Sequence, residues 1–419
     1  MGMSLGFHFV FAALGVGLPV LLILVEGLWL RTGDRRYYRL ARTWSRAMLV
    51  LFAIGAISGT TLAFELGLLW PVFMQNSGAV IGIPFTLEGF AFFIEAIFIG
   101  IYLYGWDRLK PVAHWLCSFP IAISGAMSAA SVVSVNAWMN TPAGFRLAHG
   151  VVVDVDPWQA ILNPSMPSEV LHTTLAAYVF VGFAVAALYA IVLLRKPSDA
   201  GAALALKVAM LVALATIPLQ LVAGDISARF DAHLEPLKLA AAEGQFQTER
   251  GAPLRIGGIP DAAAHTTRFA IEIPRVLSFL AFDDLNAEVR GVDAFPALER
   301  PPVLAVHWAF DTMVGSGVAL LVIAFWWAVA TRFGRRESRG LLVRALIASG
   351  VLALIAMEAG WLVTEEGRQP WIVAGFWRTS DAVTTAPALD LAFYGFSIIY
   401  AVLAATLVWL LARIYRTES

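Results

Sequence analysis

The chain has 419 residues, of which 59% are hydrophobic and only 14% are Asp, Glu, Lys or Arg. Ordinary soluble domains contain about 25% charged residues, so a soluble protein of this length is excluded. The mean hydropathy of +0.75 indicates a polytopic membrane protein. The net charge of −1 gives no reason to expect a nucleic acid partner. A single cysteine, Cys117, excludes an intrachain disulfide and any all-cysteine metal cluster.

Nine apolar segments are long enough to cross a bilayer, which takes roughly 20 apolar residues. They lie at about 5–30, 45–70, 81–105, 111–139, 168–194, 203–223, 302–330, 341–364 and 388–412. The first segment has neither a basic start nor an A-x-A site, so it is predicted to be a retained span rather than a signal peptide. The predicted fold class is all-α, a polytopic membrane bundle of nine transmembrane helices.

Basic residues predict the orientation of this bundle, because cytoplasmic loops are enriched in Lys and Arg. The connection after span 2 has no basic residue, and the one after span 4 has only Arg146. The connections after spans 1, 3, 5 and 7 and the tail hold Arg31, Arg35, Arg36, Arg39, Arg42, Arg108, Lys110, Arg195, Lys196, Arg332, Arg335, Arg336, Arg339, Arg413 and Arg416. We therefore predict that the N-terminus lies outside and that the C-terminus is cytoplasmic.

One connection is much longer than the others. Residues 224–301 are mixed polar, with eight Lys or Arg residues, and the predicted topology places them outside. Long loops of this kind are usually functional or disordered. Three regions follow: helices 1 to 6 over 1–223, an outer loop over 224–301, and helices 7 to 9 over 302–419. Within the loop, Leu237–Glu243 is predicted to be helical.

Ionisable residues inside the spans are candidates for a functional site, because a charge within a bilayer is costly. Glu88 and Glu95 are seven residues apart in span 3, so they share one helix face about 10 Å apart along the axis. The predicted topology places most of the other candidates in the outer leaflet, beside the long loop. These candidates are His8, Glu65, His172, Met313 and Glu365.

The residue types restrict the chemistry. A His and Met pair is typical of a low-spin electron-transfer haem, and in-line carboxylates in a membrane suit a proton relay. The alternatives are structural: an intramembrane His is often a hydrogen-bonded packing residue, a Met fills apolar space, and a buried Glu is held neutral. Several such residues in one leaflet favour a site. His307 stays ambiguous on this reasoning.

Four short strings are more specific than single residues. They are GWDR at 105–108, NAWM at 136–139, EAGW at 358–361 and GRQPW at 367–371, the last preceded by Glu365. With the nine-span layout and the loop after span 6, the chain resembles subunit I of the cytochrome bd-type quinol oxidases. The resemblance covers essentially the whole chain.

The resemblance implies roles for residues around three haems. His172 and Met313 match the ligands of a low-spin haem of the b558 type. His8 and Glu365 match ligands of the haem pair at the oxygen site, which holds a b595-type haem b together with haem d or a third haem b. Trp361 matches the tryptophan between cofactors. The GRQPW string contributes residues that support the cofactors: Arg368, Gln369 and Trp371.

Proton and quinol roles are implied in the same way. Glu88 matches a glutamate beside the oxygen site, and Glu95 and Ser128 match members of a proton path from the cytoplasm. In the outer loop, Lys238 and Glu243 match the pair implicated in quinol oxidation. Asp225 matches an acidic residue at the start of that loop.

The chain departs from the family pattern in four respects. The spacing of Glu88 and Glu95 is one residue shorter than usual, and Ala96 stands where a serine is common. Asp311 stands where an arginine is expected near the low-spin haem, which predicts a lower potential for that haem. The outer loop is also short. Both haem d and haem b at the oxygen site remain compatible with this divergent pattern.

The resemblance implies a terminal quinol oxidase, an oxidoreductase that oxidises quinol at the outer face and reduces oxygen to water without pumping protons. Expected partners are subunit II, with or without a small single-span subunit, quinol, oxygen and membrane lipid, in a bacterial or archaeal cytoplasmic membrane. One alternative is a haem-bearing quinol dehydrogenase of the same superfamily that does not reduce oxygen. A proton-coupled transporter is the other, and the lack of internal repeats argues against it.

Overall fold

The computed structural model describes residues 1–149, 151–334, 339–384 and 387–418. Within these residues, nine helical segments are long and apolar enough to cross a membrane, and each predicted span falls on one of them. The predicted orientation depends in part on Arg335 and Arg336, which lie outside the described residues. The side chain of Arg339 lies outside them as well. The nine-helix architecture predicted from hydropathy is confirmed, whereas the orientation of the termini stays a prediction.

The helices follow one another in chain order. They are α1 (Gly2–Thr32), α2 (Arg35–Leu69), α3 (Pro71–Gly105), α4 (Pro111–Leu116), α5 (Ser118–Asn140), α6 (Pro157–Ile161), α7 (Met166–Arg195), α8 (Ala200–Leu234), α9 (Pro236–Ala242), α10 (Val276–Phe282), α11 (Val303–Arg332), α12 (Arg339–Gly367) and α13 (Leu389–Glu418). Helices α4 and α5 together make the fourth spanning segment.

Short strands lie in the connections at one end of the bundle. They are β1 (Arg146–Ala148), β2 (Val151–Val153), β3 (Glu249–Arg250), β4 (Leu254–Ile256), β5 (Ile259–Asp261), β6 (Thr266–Arg268), β7 (Ile271–Ile273), β8 (Glu288–Val289), β9 (Trp371–Val373) and β10 (Trp377–Arg378). Among the described residues they form five antiparallel pairs, β1 with β2, β3 with β8, β4 with β7, β5 with β6 and β9 with β10. We call this end of the bundle the outer end.

Local signals in the sequence explain where the helices begin and end. Gly33 ends α1 with φ 71°, a left-handed conformation that glycine adopts without strain, and its N–H donates to the carbonyl of Trp29. Asp34 then caps α2 by accepting the N–H of Arg36 at 2.9 Å. Pro71 begins α3 at a position where its missing N–H costs no helical hydrogen bond.

The outer loop differs in extent from its predicted bounds. Helix α8 continues to Leu234, so Asp225 lies inside this helix rather than at the start of a loop. The predicted helical piece at 237–243 is confirmed as α9, Pro236–Ala242. The rest of the connection to α11 folds into β3 to β8 and α10, a structure that the low periodicity of this segment did not predict.

Small residues bring the central helices close together. A Cβ on Gly182 of α7 would lie 3.0 Å from the Cβ of Ala213 on α8, and one on Gly350 of α12 would lie 2.6 Å from the Cβ of Ala187 on α7. Close approach of this kind is the usual means by which helices associate within a membrane. Helix α7 is therefore held between α8 and α12 at the centre of the bundle.

A buried polar cluster joins three helices at the opposite, inner end. Glu26 of α1 is fully buried and accepts the hydroxyl of Tyr102 of α3 at 2.5 Å and Nδ1 of His114 of α4 at 2.6 Å. The other ring nitrogen, Nε2, donates to the backbone carbonyl of Tyr102 at 2.7 Å. No role was predicted from the sequence for His114 or for Glu26, yet the Glu26 carboxylate joins α1, α3 and α4.

Replacing Glu26 by Leu should therefore destabilise the bundle. The change leaves the imidazole of His114 and the hydroxyl of Tyr102 buried without their acceptor, and breaking a buried pair in this way costs about 3–5 kcal/mol. Thermal unfolding of the detergent-purified protein measures the loss. As a control, Asp107→Leu removes a largely exposed carboxylate that lies 3.9 Å from Arg42, and this variant should unfold at the parental temperature. Equal unfolding temperatures for Glu26→Leu and Asp107→Leu would contradict the role of the cluster.

Candidate functional site

His8, the first predicted haem ligand, faces α2 with one ring nitrogen occupied. Its Nδ1 lies 2.9 Å from Oγ of Ser58, and that hydroxyl donates its single hydrogen to the carbonyl of Gly55 at 3.0 Å. The Ser58 oxygen must therefore accept the Nδ1–H of His8. In this neutral tautomer Nε2 keeps its lone pair, which is the form of imidazole that ligates a metal.

The predicted His172 and Met313 pair lies on α7 and α11, which both pack against α8 and α12. His172 of α7 faces α8, where the amide nitrogen of Gln220 lies 3.1 Å from its Nε2 and a Cβ on Gly224 would lie 3.4 Å from its ring. Met313 of α11 faces α12, where a Cβ on Gly360 would lie 3.0 Å from its sulfur. Any side chain larger than glycine at Gly224 or Gly360 would crowd the predicted ligand.

These surroundings fit residues that hold a haem. The side chains are an imidazole with a free lone pair, a second imidazole and a thioether, which is the donor set of haem iron. His8 also lies against a glycine, since a Cβ on Gly59 would come within 2.9 Å of its ring. Oε1 of Gln220, beside His172, is buried without a hydrogen-bond partner among the described residues.

Glu365 lies at the centre of a hydrogen-bonded cluster near the outer end of α12. It accepts the side-chain amide of Asn136 at 2.7 Å and Nη2 of Arg368 at 2.7 Å. The hydroxyl of Thr364 donates to Oδ1 of Asn136 at 3.1 Å, and Asn140 donates to Thr364 at 3.2 Å. Two of the four predicted strings, NAWM and GRQPW, thus meet at Glu365.

Asn140 extends this cluster to α7. Its oxygen accepts Nη1 of Arg368 at 2.9 Å, and its nitrogen donates to Oε1 of Glu169 at 2.9 Å. Asn140 and Arg368 are both buried. The negative charge of Glu169 in turn acts on the ammonium of Lys238. Hydrogen bonds therefore run from the predicted haem ligand Glu365 through Arg368 and Asn140 to Glu169, and the predicted quinol residue Lys238 adjoins this cluster by packing its stem on Gly367, next to Arg368.

Lys238 is enclosed by carboxylates at the start of α9. Its Nζ lies 3.2 Å from Oε2 of Glu235 and 3.5 Å from Oδ1 of Asp231, and its stem packs on Gly367 of α12. Burial works to lower the pKa of Lys238, but Asp231, Glu235 and Glu169 outweigh it and raise that pKa above its ordinary value. The side chain is thus a permanent cation. One lysine faces three carboxylates, so the group holds an excess of acceptor oxygens.

The three residues predicted for quinol do not share one hydrogen-bonded group. Glu243 is buried, and its Oε2 has no partner in the described part of the chain. Burial raises the pKa of Glu243 to about 8, Asp311 acts in the same direction and Arg255 opposes it. Asp225 instead accepts Nε of Arg229 at 2.7 Å. Lys238 lies on α9 and Glu243 lies at the C-terminal end of this helix, whereas Asp225 is paired with Arg229.

Of the residues predicted for a proton path, Glu95 lies between α1, α3 and α5. Glu95 is buried, and its Oε1 would lie 3.5 Å from a Cβ on Gly125 of α5 and 3.8 Å from one on Gly15 of α1. Ser128 lies on α5 one turn beyond Gly125, and Glu88 lies two turns from Glu95 on α3. The glycines leave space beside the Glu95 carboxylate.

The remaining predicted residues have structural partners. Gln369 accepts the hydroxyl of Thr379 at 2.9 Å, and the guanidinium of Arg378 lies 4.8 Å from the ring centre of Trp371. These contacts hold the β9–β10 hairpin against the end of α12. Trp361 would lie 3.8 Å from a Cβ on Gly6, so this tryptophan is at the contact between α12 and α1.

Three residues that are important to this arrangement were not predicted from the sequence. Asn140 directly follows the NAWM string, Glu169 precedes His172 by one helical turn, and Glu235 follows directly after α8. Asn140 and Glu169 lie near the ends of predicted spans and Glu235 lies in the predicted outer loop, where polar residues are common and carry little signal. Their proximity to motif residues was the available signal for Asn140 and Glu169.

Comparison with known proteins identifies the family to which this fold belongs. The family model described as cytochrome bd terminal oxidase subunit I matches residues 1–419. The chain belongs to this family.

Solved and curated relatives agree with this assignment. The bd oxidase structure from Geobacillus thermodenitrificans superposes with a TM-score of 0.95 at 38% identity, covering 100% of this chain and 97% of that one. A Bacillus subtilis protein provisionally named cytochrome bd menaquinol oxidase subunit I is 38% identical over 99% of this chain and 95% of its own length. The cytochrome bd ubiquinol oxidase subunit 1 of the same organism is 31% identical over 97% of this chain and 90% of its own length.

Membership settles the broad function. The family comprises subunits of terminal oxidases, so the chain is an oxidoreductase subunit of respiratory electron transport, with nine candidate membrane helices among its described residues. The family binds haem, and the name subunit I implies a second subunit. A bacterial inner membrane is the implied location. These conclusions confirm the resemblance found in the sequence.

The cluster around Asn140 predicts a large stability cost for an apolar replacement. Asn140→Leu would leave Arg368, Glu169 and Thr364 each without a buried hydrogen bond, and each such group costs about 1–3 kcal/mol. Thr364→Val removes one hydroxyl and should cost only about 1 kcal/mol. Thermal unfolding in detergent compares the two variants. Similar unfolding temperatures for both would show that Asn140 is not central to the cluster.

Proposed function

We propose that the chain is the haem-bearing subunit of a quinol:oxygen oxidoreductase that oxidises quinol at the outer face and reduces oxygen to water. The observation that carries the proposal is the outer cluster, in which Arg368 hydrogen-bonds Glu365 and Asn140 while the stem of Lys238 packs on the adjacent Gly367. It joins a residue proposed to hold the oxygen-site haem with a residue proposed to act on quinol. A proton-coupled transporter requires neither a connection between a haem ligand and a quinol residue nor an imidazole and thioether pair.

The proposed haem ligands divide between two sites. His172 and Met313 would hold a low-spin haem b, and His8 and Glu365 would hold the haem pair of the oxygen site, in which both haem d and haem b are compatible with the residues. Haem supplies one-electron transfer, and oxygen binding where an iron position is open. The chain itself orients these ligands. Ser58 fixes the His8 tautomer, and Arg368 and Asn136 hold the carboxylate of Glu365.

Quinol oxidation releases two protons together with two electrons, so the quinol site needs proton acceptors. Glu243 is one proposed acceptor, because its pKa of about 8 allows it to take up a proton near neutral pH and release it again. Lys238, held as a cation by its carboxylate neighbours, would donate hydrogen bonds to a quinol oxygen. The excess carboxylates around Lys238 provide further acceptors.

Protons for water formation are proposed to enter from the cytoplasmic side. Glu95, Ser128 and Glu88 lie along α3 and α5, and a carboxyl accepts and releases protons within a membrane. If quinol protons leave outside while substrate protons enter from inside, charge separates without a pump. Each elementary charge that crosses 100 mV stores about 2.3 kcal/mol.

The proposed assembly contains subunit II, with or without a small single-span subunit, in the lipid of a bacterial cytoplasmic membrane. Quinol and oxygen are the proposed substrates. A quinol dehydrogenase of the same superfamily would share the haem ligands and the quinol residues but consume no oxygen. Oxygen uptake by the purified complex with a short-chain quinol distinguishes the two, since a dehydrogenase would reduce its haems without uptake.

Met313→Leu tests the low-spin haem. The exchange nearly conserves volume, so the protein should fold, while the loss of the thioether should shift or abolish the reduced low-spin signal and lower its potential. A spectroelectrochemical titration measures both quantities. Met357→Leu, on the neighbouring helix α12 and buried, is the matched control and should keep the parental spectrum. A parental spectrum and potential in Met313→Leu would show that this methionine only fills space.

Glu243→Gln tests the quinol site through its pH dependence. A raised pKa means that Glu243 is protonated below about pH 8 and ionised above it, so the parental rate of quinol oxidation should rise with pH through this value. The Gln variant cannot accept a proton and should be slower by about 10²-fold, without this rise. Stopped-flow reduction by quinol measures the rate. Glu288→Gln, an exposed partner of Arg250, is the control, and equal profiles for both variants would refute the role of Glu243.

A further inference from the structure

One histidine that neither the sequence nor the proposed function explains is His307 on α11. It is fully buried at the outer end of the helix. Its Nδ1 lies 2.8 Å from the carbonyl of Ala242, the last residue of α9, and its Nε2 lies 3.2 Å from the carbonyl of Gly257, in the turn between β4 and β5. One imidazole ring therefore contacts two separate segments of the outer loop.

Each ring nitrogen of His307 faces a backbone carbonyl. A backbone carbonyl only accepts hydrogen bonds, and a neutral imidazole carries only one N–H. Both ring nitrogens of His307 donate at once only if the ring is an imidazolium cation. Asp311, one turn further along α11, supplies the opposite charge, since its Oδ2 lies 3.4 Å from Nε2 of His307.

Two neighbouring side chains of α11 hold the same turn of the loop. Asp311 accepts the N–H of Gly257 at 2.8 Å, and Nε1 of Trp308 donates to the carbonyl of Gly258 at 3.0 Å. Gly257 and Gly258 have φ values of 66° and 105°, which L-residues adopt only with strain. The glycine pair thus presents its backbone groups to α11, and Asp311, placed where the family pattern has arginine, has a defined structural partner here.

The His307 ring also lies beside Gly244, the residue that follows the proposed proton acceptor Glu243. A Cβ on Gly244 would come within 3.3 Å of the His307 ring, and Gly244 directly follows Glu243. The charged groups that face Glu243 are Asp311 from α11 and Arg255 from β4, and Arg255 is itself paired with Glu249 and Glu272. The His307 cation adjoins Asp311 and offsets its negative charge next to Glu243.

We propose that His307 is a positioning residue for quinol oxidation, which as a cation fastens the end of α9 and the Gly257–Gly258 turn to α11 and favours the ionised form of Glu243. His307 precedes Met313 by six residues, about 9 Å along the helix axis. The quinol loop is therefore tied to the helix that carries a proposed ligand of the electron-accepting haem. This inference rests on the proposed role of Glu243 in quinol oxidation.

Two variants separate fastening from charge. His307→Phe removes both donors and the cation, whereas Trp308→Phe removes one uncharged donor to the same turn. Hydrogen–deuterium exchange of the purified complex measures fastening without requiring turnover. We expect exchange in residues 236–261 to rise at least tenfold in His307→Phe and less in Trp308→Phe. His265→Phe, an exposed histidine paired with Asp293 at 2.8 Å, is the matched control and should leave exchange in 236–261 at the parental level.

The pH profile of haem reduction by quinol measures the effect of the charge. Without the cation, ionising Glu243 requires a higher pH, so the midpoint of the profile should move upward by about one unit or more in His307→Phe. Trp308→Phe should keep the parental midpoint. His307→Lys retains a cation with several donors and should restore the midpoint toward the parental value. The dithionite-reduced spectrum should be the same in every variant, which shows that the haems remain bound.

The outcomes distinguish this inference from the proposed function. Parental exchange in His307→Phe overturns the fastening, whatever the activity of the complex. An unshifted midpoint in His307→Phe, or an equal shift in Trp308→Phe, overturns the role of the charge. If the parent protein oxidises quinol with no pH dependence near 8, the assignment of Glu243 fails, and raised exchange in His307→Phe would still establish the fastening. His307→Gln, which keeps one donor and loses the cation, replaces His307→Phe if the latter does not fold.

Discussion

Ionisable side chains buried among membrane-spanning helices need partners, because an unpaired charge or polar group there costs several kcal/mol. The described structure meets this requirement at both ends of the bundle. At the inner end Glu26 pairs with His114 and Tyr102. At the outer end Arg368 donates hydrogen bonds to Glu365 and Asn140. These polar groups determine which helices meet, since apolar faces in lipid provide little preference for one partner over another.

The outer polar cluster also brings the functional regions together. Glu365 and Arg368 come from the end of α12, Asn140 from the end of α5 and Glu169 from the start of α7. Lys238 reaches the same place from α9, with its stem on Gly367. A loop that binds a substrate must be held in register with the helices that carry the electron acceptor, and the contacts of α9 with α12 and α11 provide this register.

Much of the fold could be predicted from the sequence, because lipid permits few solutions for a long apolar chain. The nine helices and the helical piece before Glu243 follow from hydropathy and composition. The end of α8 could not be placed, since Asp225 and Arg229 look like loop residues until their pairing within the helix is seen. The strands of the outer loop are two or three residues long, which is too short for an alternating pattern to reveal them.

The candidate site could likewise be predicted only in part. The sequence by itself determined the membrane-helix class, the motif residues Glu365 and Arg368, and the family, because each of these depends on local composition or on short strings. Only the tertiary structure decided which side chains are partners. It paired Asn140 with Glu169 and Arg368, gave Lys238 and Asp225 separate partners, and placed His307 between two segments of the outer loop. Contacts between residues far apart in the chain depend on how the helices pack, and hydropathy contains no information about the rotation of one helix against another.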